Sequence, residues 1–126
     1  MKYIIRIVAL LCFALPFTLS AQNSHIGNWK MTVPTENGGT ATIQVSMKSD
    51  GTYAVDFGVD GSIEVNGTYK MDGNKMTIKD VSGPNACPQE AVYTVAVTAT
   101  SLTMTRVNDP CEGRGGPEGV MTFQRA

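Results

Sequence analysis

The chain predicts an all-β fold, an eight-stranded antiparallel up-and-down β-barrel with no substantial helix after its N-terminal segment. Three observations predict it. Apolar residues alternate with polar ones over short runs, the period of a half-buried strand, and no such run keeps a helical period. Asp-Gly pairs at 50–51, 60–61 and 72–73 recur at spacings of 10 and 12 residues, and such pairs supply the positive φ of tight hairpins. Few connections are long enough for the Greek-key crossovers of a two-sheet sandwich. Sequential strands therefore pair, and the sheet removes its two edges by closing on itself.

The N-terminal segment, residues 1–21, reads as an export signal. Lys2 and Arg6 supply positive charge, Ile7 to Leu15 is a nearly unbroken apolar stretch, and Ser20 and Ala21 offer cleavage after either one. The stretch is too short for a bilayer-spanning anchor, and Cys12, inside it, leaves with the signal. Residues 22–126 then form one domain of about 105 residues, enough for a small core. Of the 10 basic residues in the chain Lys2 and Arg6 are lost, and the rest face 11 acidic ones. That balance gives no electrostatic case for nucleic acid or an anionic membrane.

Strand one spans Asn28 to Val33, with Trp29, Met31 and Val33 on one face. After Pro34 to Gly39, strand two spans Thr40 to Lys48 with Ala41, Ile43, Val45 and Met47 in phase. Tyr53, Val55, Phe57 and Val59 alternate in strand three, and Ile63, Val65, Tyr69 and Met71 share a face of strand four. Strand five, Lys75 to Val81, carries Met76 and Ile78. A loop from Ser82 to Glu90 precedes strand six, Ala91 to Ala99, with Tyr93, Val95 and Val97 inward. Strand seven is Leu102 to Asn108, and a Gly/Pro-rich loop, Asp109 to Gly119, leads to strand eight, Val120 to Arg125.

In a simple meander the connections alternate between the two ends of the barrel. Those at 34–39, 60–61, 82–90 and 109–119 share one end, a mouth; the tight turns at 49–51, 72–74 and 100–101 share the other, a floor. The mouth loops hold Cys87 and Cys111, and an even cysteine count in an exported chain reads as a disulfide. Trp29, the only tryptophan, starts at the floor facing inward, and Arg125 ends there in the inward phase. Closure of the first strand on the last brings the guanidinium to the indole face, a contact of about 0.5–2 kcal/mol. Trp29 is thus a structural floor plug before it is a ligand contact.

Gly27-Asn28-Trp29 on the first strand, with a basic residue closing over it from the last, resembles the Gly-x-Trp signature of the calycin superfamily. The lipocalins belong there, with the fatty-acid-binding and avidin-type barrels. Cys87 together with Asn108-Asp109-Pro110-Cys111-Glu112-Gly113-Arg114 resembles small secreted bacterial lipocalin-like domains. The resemblance covers nearly the whole of residues 22–126 and implies a lipocalin-like barrel with a small-molecule site. The chain is much shorter than classical lipocalins, has no C-terminal helix, and has one tryptophan where avidin-type pockets have several.

The expected site lies at the mouth. Asp80, Tyr93 and Arg106 come from neighbouring strands in the inward phase, and an Asp–Arg pair flanked by a phenol orients a polar ligand head. The same three side chains also suit a structural ion pair at the rim. Phe57, Tyr69 and Met104 are its expected apolar walls, or plain core fill. No catalytic residue is expected, since the single histidine, His25, lies in a flexible N-terminal tail without partners. The segment Asp56 to Gly61 resembles the start of a calcium loop, yet Gly67 stands where the bidentate glutamate belongs, so it reads as strand and turn. Arg114-Gly115-Gly116 reads as a flexible mouth loop; no phosphate-loop lysine accompanies its glycines, and no cofactor is expected. Asn66-Gly67-Thr68 matches a glycosylation acceptor, a match common by chance.

The leading functional expectation is a secreted or periplasmic, non-enzymatic binding protein for a small, partly apolar molecule. The alternatives are a protein-interaction module, such as an extracellular protease inhibitor, and a cell-envelope component with a filled barrel.

Overall fold

The computed structural model describes residues 24–126. The predicted signal, with Cys12, lies outside the described residues. Eight strands follow in order: β1 (Gly27–Pro34), β2 (Thr40–Met47), β3 (Thr52–Phe57), β4 (Val65–Asp72), β5 (Lys75–Ser82), β6 (Ala91–Val97), β7 (Ser101–Asn108) and β8 (Val120–Arg125). They form one closed barrel in chain order, every neighbour antiparallel. β1 and β8 close it, with Trp29 opposite Arg125 and Lys30 opposite Gln124. The predicted eight-stranded meander is the observed one.

Most strand ends shift by a single residue, and two regions differ by two residues, each for a local reason. Strand three stops at Phe57 because the Asp56 carboxylate accepts the N–H groups of Asp60 (3.1 Å) and Gly61 (3.0 Å). That contact folds residues 58–64 into a loop rather than a two-residue hairpin, with Val59 at φ +52° and Ile63 exposed. Strand six ends at Val97 instead of Ala99. The Thr98 hydroxyl accepts the N–H groups of Thr100 and Ser101 there, so the turn begins two residues early.

The inward phase of each strand is the apolar one, but the two sides of the barrel are filled differently. On β5–β7, Met76, Ile78, Tyr93, Val95, Leu102 and Met104 are buried. Trp29, Tyr93 and Met76 are sealed completely. Burying a side chain of this size is worth roughly 1.5–3 kcal/mol relative to exposure. On β1–β3, Met31, Val33, Ile43, Val45 and Val55 also face inward yet stay only half-buried. Met31, Val45 and Val55 pack in part against the buried cluster, and all five border a hollow.

At the floor the plug is continuous. The Arg125 guanidinium lies 4.1 Å from the Trp29 ring centroid. It donates to the carbonyls of Ala99 (3.1 Å), Ile26 (3.4 Å) and Ser24 (3.0 Å). His25 is not in a free tail. Its carbonyl accepts the Trp29 indole N–H at 2.8 Å, and its ring meets the Tyr69 ring edge-on, centroids 5.3 Å apart. The segment Ser24–Ile26 is therefore drawn across the floor by one arginine and one tryptophan.

Candidate functional site

The hollow above this plug is a cavity of about 730 Å³ that opens at the mouth. Its walls are apolar, and five methionines line it: Met31, Met47, Met76, Met104 and Met121. Thioether side chains are flexible and polarisable, so such a wall adapts to the shape of what it encloses. Phe57, 37% exposed, stands on the rim, and Phe123 lies deep within. The loop 112–118 crosses the open end.

That loop is pinned. Every nitrogen of the Arg114 guanidinium is engaged. Nε donates to Asp109 Oδ2 (2.9 Å), Nη2 to Gln89 O (2.7 Å) and Asp109 Oδ1 (3.0 Å), and Nη1 to Cys87 O (3.0 Å). Nη1 also lies 3.4 Å from Asp80 Oδ2. Asp80 is closed on its other sides by the Tyr53 hydroxyl and by the Cys87 N–H at 2.9 Å. The Cys87–Cys111 disulfide, Cα atoms 6.2 Å apart, ties the same two loops covalently. The expected flexible Arg114-Gly115-Gly116 loop is thus the most heavily bonded part of the mouth.

Two glycines make this network possible. Tyr53, Gly67 and Asp80 stand in one row across β3, β4 and β5. The Tyr53 ring crosses β4 to reach Asp80, and a Cβ at Gly67 would overlap the phenol. Gly115, at φ +86°, comes equally close to the Tyr93 hydroxyl, where a Cβ would collide.

The expected site residues are partly brought together. Asp80, Tyr93 and Arg106 all reach the mouth network, but Asp80 pairs with Arg114 rather than Arg106. The Tyr93 hydroxyl donates to Asp109. Arg106, opposite Tyr93, donates instead to the carbonyls of Arg114 (2.9 Å) and Gly116 (2.7 Å). Its buried Nε has no hydrogen-bond partner among the described residues. Phe57 and Met104 line the cavity. Tyr69 does not: β4 runs from mouth to floor, so residue 69 lies low, its hydroxyl donating to Lys48 O. Asp109 and Arg114 were missed as site residues, although both stand in the motif around Cys111.

Electrostatics follow the geometry. Burial pushes the Asp109 carboxyl up, but hydrogen bonds from Arg114, Tyr93 and the Cys111 N–H outweigh it and hold the group below the ordinary value. Burial, then the hydrogen bond to Asp109 and its charge, push the Tyr93 phenol up to about 12. Burial, then Asp80, raise Tyr53 as well, so both phenols are neutral donors at physiological pH. At the edge of the mouth the carboxylates of Asp56, Asp60 and Glu64 lie within 4.8 Å of one another. Each accepts backbone N–H groups of its own loop, from Asp60 and Gly61, Ser62, and Phe57 respectively. They organise the 58–64 turn.

The described residues contain no helix long and apolar enough to cross a membrane. The disulfide is compatible with an extracellular or periplasmic setting. Compared with protein-family models, curated proteins and solved structures, the chain matches none of them.

Proposed function

We propose that this is an exported, lipocalin-like binding protein that takes a small apolar or amphipathic molecule into its barrel. The observation that carries the reading is the cavity of about 730 Å³, walled mainly by inward-facing apolar side chains, several of them only half-buried. Pockets for small organic ligands span roughly 300–1,000 Å³ and are mostly apolar. A barrel whose only task were structural would gain stability by filling that space. Trp29 under Arg125, in the arrangement that resembles the calycin signature, supports the family reading. The disulfide supports export to an oxidising compartment.

The cavity opens at the mouth end of the barrel. His25, the only histidine, is held against Tyr69 at the opposite end. An inhibitor that reaches its target through an N-terminal tail is less well supported, because Ser24–Ile26 is bonded down by Arg125. Native mass spectrometry of protein exported from its own host, before and after organic extraction, tests the proposal. A copurifying small molecule lost on extraction is the expected result; unliganded protein that also takes up no apolar probe would overturn it.

A further inference from the structure

The charges of this barrel are segregated along its axis. Of the 11 acidic residues in the chain, all but Asp50 and Asp72 lie in the mouth half of a strand or in a mouth loop. Only three cations share that half: Lys79, Arg106 and Arg114. The floor half reverses the balance, with Lys30, Lys48, Lys70, Lys75 and Arg125 against the two remaining carboxylates. The mouth therefore carries a formal excess of six negative charges and the floor an excess of three positive ones.

The groups that could greet a ligand head have the same sign. Arg114 is the one cation lining the cavity, and its guanidinium is spent on Asp109, Asp80 and two carbonyls. Asp80 is likewise closed by Tyr53, Cys87 and Arg114. Glu112 and Glu118, by contrast, stand exposed on the cavity rim, and neither makes an ion pair among the described residues. An anionic head would enter a negative field and find no unpaired cation in the cavity lining among the described residues. A cationic head would sit beside two available carboxylates while its apolar body meets the methionine-lined wall.

We propose that the cavity selects a positively charged amphiphile, an apolar body with a cationic head at the rim, over the anionic amphiphile with the same tail. The inference rests on the reading of the cavity as a binding site and assigns the chemical class of its ligand. Clefts lined by one sign of charge concentrate the opposite sign, and salt weakens the effect.

The test is displacement of the neutral fluorophore N-phenyl-1-naphthylamine by decyltrimethylammonium, decanol and decanoate, each below its micelle concentration. At neutral pH and low salt the ammonium compound should displace the probe at about tenfold lower concentration than decanoate, with decanol between them. Raising salt to about 1 M, where the screening length is about 3 Å, should bring the three together. The double variant Glu112→Gln, Glu118→Gln should narrow the ammonium-to-decanoate ratio at low salt and leave decanol unchanged. Decanoate competing as well as the ammonium compound, or a ratio untouched by both salt and the double variant, would overturn the charge selectivity while leaving the cavity reading intact. Failure of both probe and decanol to bind would overturn the cavity reading itself.

Discussion

Both ends of this barrel are held by an arginine that gathers backbone carbonyls, yet one end is solid and the other hollow. At the floor, Arg125 collects Ala99, Ile26 and Ser24 and rests on Trp29. At the mouth, Arg114 collects Cys87 and Gln89 and bridges Asp109 and Asp80. The difference lies in what is underneath. An indole fills the floor, whereas the mouth arginine sits among loops and the space below it is lined by aliphatic and thioether side chains. The same cation chemistry makes a plug where an aromatic backs it and a collar where none does.

Breaking each end separates these roles, and the largest effect belongs to the floor. Trp29→Ala should cost about 3–5 kcal/mol in denaturant unfolding, since the indole is wholly buried and the site cannot collapse around the loss. A cost below about 1 kcal/mol would show that the floor is not packed as described. Next comes Arg114→Met, which strips the counter-charge from two buried carboxylates and should cost about 3 kcal/mol. Removing both Cys87 and Cys111 as serines, a crosslink with a sequence separation of 24, should cost about as much, roughly 3 kcal/mol. Full stability in that double variant would contradict the disulfide's part in holding the mouth.

The two ends should also part company in acid. Burial lowers the His25 pKa from the ordinary 6.5, so the fold favours the neutral ring. Its contribution is present above that value and is lost as pH falls below it. Asp109 is held below its ordinary 3.8, so its contribution persists to lower pH and is lost only as pH falls from there through the folded-state value. Unfolding followed from neutral to acid pH should show a shallow decline from the floor first and one from the mouth later. His25→Phe should remove the first, and Asp109→Asn the second.

Smallest of all should be the cost of trimming the cavity wall. Val45→Ala should destabilise by less than about 1 kcal/mol, because the side chain already borders empty space, whereas Val95→Ala, buried and outside the cavity lining, should cost about 2 kcal/mol.

The strand order was readable from the sequence because alternation and turn chemistry are local properties. So was the meeting of Trp29 with Arg125, which follows from counting connections. The 58–64 loop was misread as a tight Asp-Gly hairpin because the carboxylate that reshapes it, Asp56, sits back in the preceding strand. Tyr69 was assigned the right face and the wrong height: alternation gives the phase of a side chain, and strand direction gives its level. Arg114 looked mobile among glycines because its partners Asp80, Cys87 and Gln89 lie far back in the chain. The cavity was least readable, since a pattern that says which residues face inward does not say whether they meet.

Whether they meet can be measured with one cavity-filling variant. Val45→Trp places an indole into the hollow between β1 and β3, and both uptake of N-phenyl-1-naphthylamine and the urea midpoint would be followed. The account predicts that the native chain takes up the probe, and that the variant loses about tenfold or more in affinity while its midpoint holds. Probe uptake unchanged in the variant, or a loss of about 1–3 kcal/mol such as overpacking inflicts on a filled core, would contradict it.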